Sequence, residues 1–134
     1  MDDNKNKINV GFIHDSQNVF LKGSHFDNTY FHFFMEAIRR HDKLQVTDII
    51  HDEILDVKKI EKKFDAILLW ENSEFGMPKD ILGIEDLDIP VIAKVGDPNR
   101  AESSIKFHKK WKIDHYFHYY PEQLFHSLYP NNFN

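Results

Sequence analysis

No cysteine occurs among the 134 residues, which excludes disulfides, thiolate metal sites and thiol nucleophiles together. Glycine is scarce, at five, and none builds a G-x-G-x-x-G turn, a Walker loop or a G-x-S-x-G elbow. A standard dinucleotide site, a P-loop and a hydrolase nucleophile elbow are therefore not on offer. No apolar run approaches the roughly 18 residues that mark a spanning helix. The first seven residues are polar and no apolar signal core follows them, so 1–7 reads as a flexible leader and the chain as cytoplasmic. A basic surplus is also missing: 17 Lys and Arg face 22 Asp and Glu, a net charge of −5, which argues against nucleic acid as a partner.

What is present is a hydrophobic fraction of 41% with twelve Phe, enough for the core of one domain over residues 8–134. Short apolar runs bounded by turn residues read as buried strands at 8–13, 44–50, 65–70, 91–95 and 114–118. Between them the spacing predicts helices from about Asp27 to His41, over 52–63, after Pro78, over 100–111 and over 121–129. In the first of these, Tyr30, Phe31, Phe34, Ala37 and Ile38 form the apolar stripe. Strands alternating with helices imply an α/β, three-layer, Rossmann-like domain with a mostly parallel five-stranded sheet. The expected strand order is 3-2-1-4-5, with the flavodoxin-like 2-1-3-4-5 as its rival.

Ligands of such sheets bind beyond the carboxyl ends of the strands. Three strands end there in polar residues: the first in His14-Asp15-Ser16, the third in Trp70-Glu71, the fourth in Lys94 and then Gly96-Asp97. His14, Asp15, Ser16, Glu71, Lys94 and Asp97 are the candidate substrate-binding residues. The loop from His14 to Asp27 is long for a strand-to-helix connection, where about 2–6 residues are usual. His14 at a strand end suits a ligand donor or base, or a loop imidazole bonded to backbone. Lys94, inside a strand buried on both faces, must reach a carboxylate or the cleft, and Glu71 is the carboxylate in range. Asp97 and Asn99 also read as helix caps. Of the nine His, the pair His115 and His118 is the closest, but on a strand that spacing turns them to opposite faces, so no metal site is expected. A phosphorelay receiver fails two of its three marks: the third strand ends in Trp70-Glu71 with no Asp to phosphorylate, and the fifth ends in His118-Tyr119 with no Lys.

Four stretches carry a family likeness: strand one with its long polar loop (8–27), Phe64-Asp65-Ala66-Ile67-Leu68-Leu69-Trp70, Ile89-Pro90-Val91-Ile92-Ala93-Lys94-Val95-Gly96-Asp97-Pro98, and Asp114-His115-Tyr116-Phe117 with Pro121-Glu122-Gln123-Leu124. In these the chain resembles the N-terminal half of a GT-B glycosyltransferase, especially the CgeB-like spore-maturation and family-4-like enzymes. The resemblance implies an acceptor-side domain whose partners are a sugar or glycan acceptor and a separate C-terminal nucleotide-sugar domain. It implies no metal or other cofactor and no activity of this domain alone. One departure matters: nothing here matches the donor domain's basic residue and its pair of spaced glutamates. The alternative is a non-catalytic, flavodoxin-like or degenerate receiver-type binding domain, and a third reading is a small free-standing enzyme using His14 and Asp15.

Overall fold

Leucine-, isoleucine- and valine-rich runs become strands, buried at the centre of the sheet and part-exposed at its edges. The computed structural model describes residues 6–18, 30–71, 76–95 and 101–117. In chain order its elements are β1 (Ile8–His14), α1 (Tyr30–Arg40), β2 (Leu44–Ile50), β3 (Ile54–Asp56), β4 (Ala66–Leu69), β5 (Asp80–Leu82), β6 (Val91–Lys94), α2 (Ala101–Trp111) and β7 (His115–Phe117). Single 3-10 turns lie at Val57–Lys59, Glu61–Lys63 and Ile84–Asp86.

Five strands form one sheet in the order β2-β1-β4-β6-β7, and every pairing is parallel. Counted along that sheet, the order is 2-1-3-4-5, the flavodoxin-like arrangement, and the expected 3-2-1-4-5 is corrected. The first strand lies between the second and third, and side chains of both neighbours reach over it. Gly11 has no side chain, and a Cβ there would come within 2.8 Å of Ile49 on β2 and 3.1 Å of Ile67 on β4. Ile49 and Ile67 thus pack across the strand where any other residue would push them apart.

Two aspartates set the register at the opposite edge. Asp65 accepts from the Asn9 backbone N–H through its carboxylate, while its own N–H donates to the Asn9 carbonyl, both at 2.8 Å. Asp114 does the same to Val91, at 2.8 and 2.9 Å. In each case the residue before a strand satisfies the open end of its neighbour, where the ladder would leave a donor unmet.

The helices cover the sheet with short stripes. Ser104, Phe107 and Trp111 of α2 are buried at helical spacing, and the Phe107 and Trp111 rings pack at 4.3 Å. On α1 Met35 is buried with Phe34 and Ile38 half-buried beside it, whereas Ala37, expected inside, is exposed. Arg39 and Arg40 close its last turn, where positive charge suits the helix dipole.

Two expected helices are replaced. Over 52–63, Ile54, Leu55 and Asp56 extend to pair with Asp80, Ile81 and Leu82 in a second, two-stranded parallel sheet, and the rest winds into 3-10 turns. Asp56 caps the first of these by accepting from the Lys58 N–H. The helix expected after Pro78 is instead β5, ended by Gly83 at φ 80°. Each segment resembles a helix locally; each is held extended by the other, 26 positions away in register. The expected helix at 121–129 lies outside the described residues.

Ile67 is fully buried at the centre of the main sheet, between β1 and β6. Ile67→Ala is expected to lower unfolding stability by about 2–5 kcal/mol, read from urea denaturation.

Candidate functional site

With all strands parallel, the carboxyl ends of β2, β1, β4 and β6 lie in a row, bringing Ile50, His14, Trp70-Glu71 and Lys94 to one edge. The strand order reverses between β1 and β4, the switch point where such sheets open a crevice. Here the two loops that flank that point are tied together. The Asp15 N–H and the Asn18 side-chain amide both donate to the Gly76 carbonyl, at 2.9 and 3.4 Å. Gly76 sits at φ 69°, and a Cβ on it would meet Asn18 and Trp70 below 3 Å. The polar opening on this edge therefore lies to the β2 side, in a cavity of about 280 Å³ lined by His14, Asp15, Ser16, Asn18, Arg39 and Asp48, with Ile50 at its wall.

His14 is buried, 7% exposed, against the Phe12 ring at 4.9 Å. Its Nδ1 lies 2.8 Å from the Asp15 carbonyl. A carbonyl only accepts, so Nδ1 carries a hydrogen and donates. Nε2 has no hydrogen-bond partner and stands 3.5 Å from an Asp48 carboxylate oxygen. That Nε2 edge is buried and turned towards Asp48, away from open solvent.

Asp48 is held from the other side by Arg39, whose Nη2 donates to both carboxylate oxygens at 3.1 and 3.3 Å. The His14 ring and then the Arg39 guanidinium hold its carboxyl below the ordinary 3.8, although burial pushes the other way. Ser16 closes the rim: its N–H and its hydroxyl donate to the two oxygens of Asp52, each at 2.8 Å. Asp15 accepts from the Gln17 N–H at 3.1 Å.

Glu71 and Lys94 are brought together away from this opening. Lys94 Nζ lies 3.2 Å from Glu71 Oε1, both side chains are 6% exposed, and the ammonium stands 5.0 Å from the centre of the Trp70 ring. The two ionised groups close the ends of β4 and β6 against each other rather than lining the cavity. Asp97 lies outside the described residues. His115 and Phe117 line a larger cavity of about 740 Å³ near the opposite ends of the strands, whose walls are mostly apolar, among them Val10, Phe34 and Leu68. Among the described residues no group of three or more potential ligands stands close enough to hold a metal ion, and no helix is long and apolar enough to cross a membrane.

Sequence reasoning missed Arg39, Asp48, Asn18, Asp52 and Gly76. Asp48 gave no such signal as Lys94 did, since it follows Gln45 and Thr47 on a strand with an exposed, polar face. Arg39 reads locally as a helix-end charge, and only its meeting with Asp48 gives it a place in the site.

Lys94→Ala removes the ammonium from a buried carboxylate and is expected to cost about 3–5 kcal/mol in urea unfolding, while the double variant Lys94→Met with Glu71→Leu recovers most of it. An equal loss in the double variant would show that the pair does not act as a unit. Asp48 contributes stability that is complete above about 3.8 and lost as the pH falls below that value, because its folded-state pKa lies under its unfolded one. Asp48→Asn is accordingly expected to flatten the acid limb of the urea midpoint against pH; an unaltered limb would leave the contact without energetic effect. Comparison with protein-family models, with curated proteins and with solved structures found no match.

Proposed function

We propose that the chain is the acceptor-side domain of a glycosyltransferase that transfers a sugar from a nucleotide-sugar donor, and that it is inactive alone. The observation that supports it most is the cavity at the carboxyl edge of a parallel α/β sheet, lined by His14, Asp15, Arg39 and Asp48. Carboxylates, an imidazole and a guanidinium at hydrogen-bonding spacing suit hydroxyl groups presented by a sugar. The reading also rests on the resemblance carried by strand one with its loop and by the Ile89 to Pro98 stretch. In the family so resembled, a second domain holds the donor. On this reading His14, Asp15 and Ser16 meet the acceptor, Asp97, which follows β6 in the sequence, joins them, and the Glu71–Lys94 pair stiffens the edge that carries them.

A second reading, a non-catalytic binding domain, draws on the strand order, which is that of flavodoxin-like and receiver-type domains. Glu71 stands at the end of the third sheet strand, where a receiver carries its phospho-accepting Asp, and its carboxylate is buried against Lys94.

Saturation-transfer NMR with a panel of mono- and oligosaccharides, and with nucleotide sugars, separates the readings. A glycosyltransferase acceptor domain binds one or more saccharides and leaves nucleotide sugars free. Absence of any saccharide contact, or preference for the nucleotide, would overturn it and favour the second reading.

A further inference from the structure

The larger cavity, of about 740 Å³, is a groove on one face of the main sheet. Val10, Ala66, Leu68, Ile92 and Phe117 stand at alternate positions of β1, β4, β6 and β7, and the strand register turns them all to that face. One wall is α1, whose Phe34 ring stacks on Phe117 at 4.9 Å. Among the described residues, the rest of the lining belongs to the sheet strands or to the residue just before a strand. An apolar floor of this kind is matched by an apolar ridge, since both surfaces gain by leaving water. A second copy offers no such helical ridge among the described residues. The large exposed apolar side chains are Ile8, Phe33, Ile50, Ile54 and Leu82, and neither described helix carries more than one of them.

The sequence after β7 supplies a ridge. Pro121, Leu124, Phe125 and Leu128 recur at i, i+3, i+4 and i+7, an apolar stripe on one side of a helix, with Gln123 and His126 on the other. Pro121 suits a first helical position, and Pro130 stops the helix after Tyr129. Nine helical residues, 121–129, rise about 13 Å, and so do the four residues of β6 on the groove floor. Only 118–120 separate Pro121 from Phe117, within the roughly 2–6 residues usual for a strand-to-helix connection. Phe117 is itself part of the groove, so the segment leaves β7 at the surface it would cover.

We propose that residues 121–129 lie in this groove as a helix antiparallel to the strands, with Leu124, Phe125 and Leu128 against its floor. This goes beyond the acceptor reading and does not depend on it, because the groove and the His14 cavity are at opposite ends of the strands.

The test is NMR on the full chain with labelled methyl groups. Nuclear Overhauser contacts are expected from the Leu124 and Leu128 methyls to those of Leu68 and Ile92. Their absence overturns the proposal. So does their appearance between copies, in a mixture of chains labelled separately at leucine and at isoleucine, which would make the occupant a second molecule. Phe125→Asp puts a charge on the stripe and is expected to lower the urea midpoint and raise the fluorescence of an apolar-surface dye several-fold. Gln123→Asp puts the same charge on the far side and should change neither. Equal effects of the two variants, or none from Phe125→Asp, overturn the docking. Should Phe125→Asp fail to fold, the methyl contacts of the unaltered chain decide alone.

Discussion

The five strands of the main sheet all run one way, and the rest of the molecule follows from that constraint. Parallel neighbours cannot be joined by a tight hairpin, so each return to the sheet needs a crossover segment. Every strand then ends on the same edge, and the residues that follow the strands meet there. This is why His14, Glu71 and Lys94, which are 57 and 23 positions apart along the chain, share one sheet edge. The opposite edge has the complementary role. Asp65 and Asp114 bind the first open N–H of the adjacent strand, and register is set where no ligand is needed.

The same edge shows two ways of handling buried charge. At β4 and β6 the Glu71–Lys94 pair is enclosed beside Trp70, and its value lies in holding two strand ends together, since a desolvated ion pair gives little net stability beyond that of apolar residues of the same size. At β1 and β2 the charges are left at the wall of a cavity. Asp48 is shared between Arg39 and His14, and neither contact saturates it: Arg39 reaches it through one nitrogen, and His14 stands at 3.5 Å. An arrangement with unfilled hydrogen-bonding capacity beside a buried imidazole is one that a ligand can complete.

The crevice of doubly wound sheets opens at the switch point. Here the loops after β1 and β4 are tied across it through the Gly76 carbonyl, and the opening is displaced towards the edge strand β2. That displacement explains why Arg39 and Asp48, on a helix end and an edge strand, belong to the site while Lys94 does not line it. It also shows why position along the sheet edge is not enough to assign a role. His14, Asp15, Ser16, Glu71 and Lys94 share that edge, yet they divide into a cavity group and a buried pair.

Much of this was legible in the chain itself. Apolar runs closed by polar residues mark β1, β4 and β6, because a strand buried on both faces has no room for alternation, whereas the edge strand β2 alternates and is half-exposed. The anomaly of Lys94 within such a run led directly to Glu71, because an ammonium in that setting needs a carboxylate. What the chain could not show was pairing. Ile54 to Asp56 and Asp80 to Leu82 each pass locally for helix, and they are strands because they hold each other. Likewise β1 lies between β2 and β4, where Ile49 and Ile67 approach Gly11 from two distant segments. Local composition determined which segments were apolar, which were punctuated by turns and where charge was out of place. Tertiary structure decided strand order, the two exchanged strands and the meeting of His14, Arg39 and Asp48, because those depend on which distant surfaces bury one another.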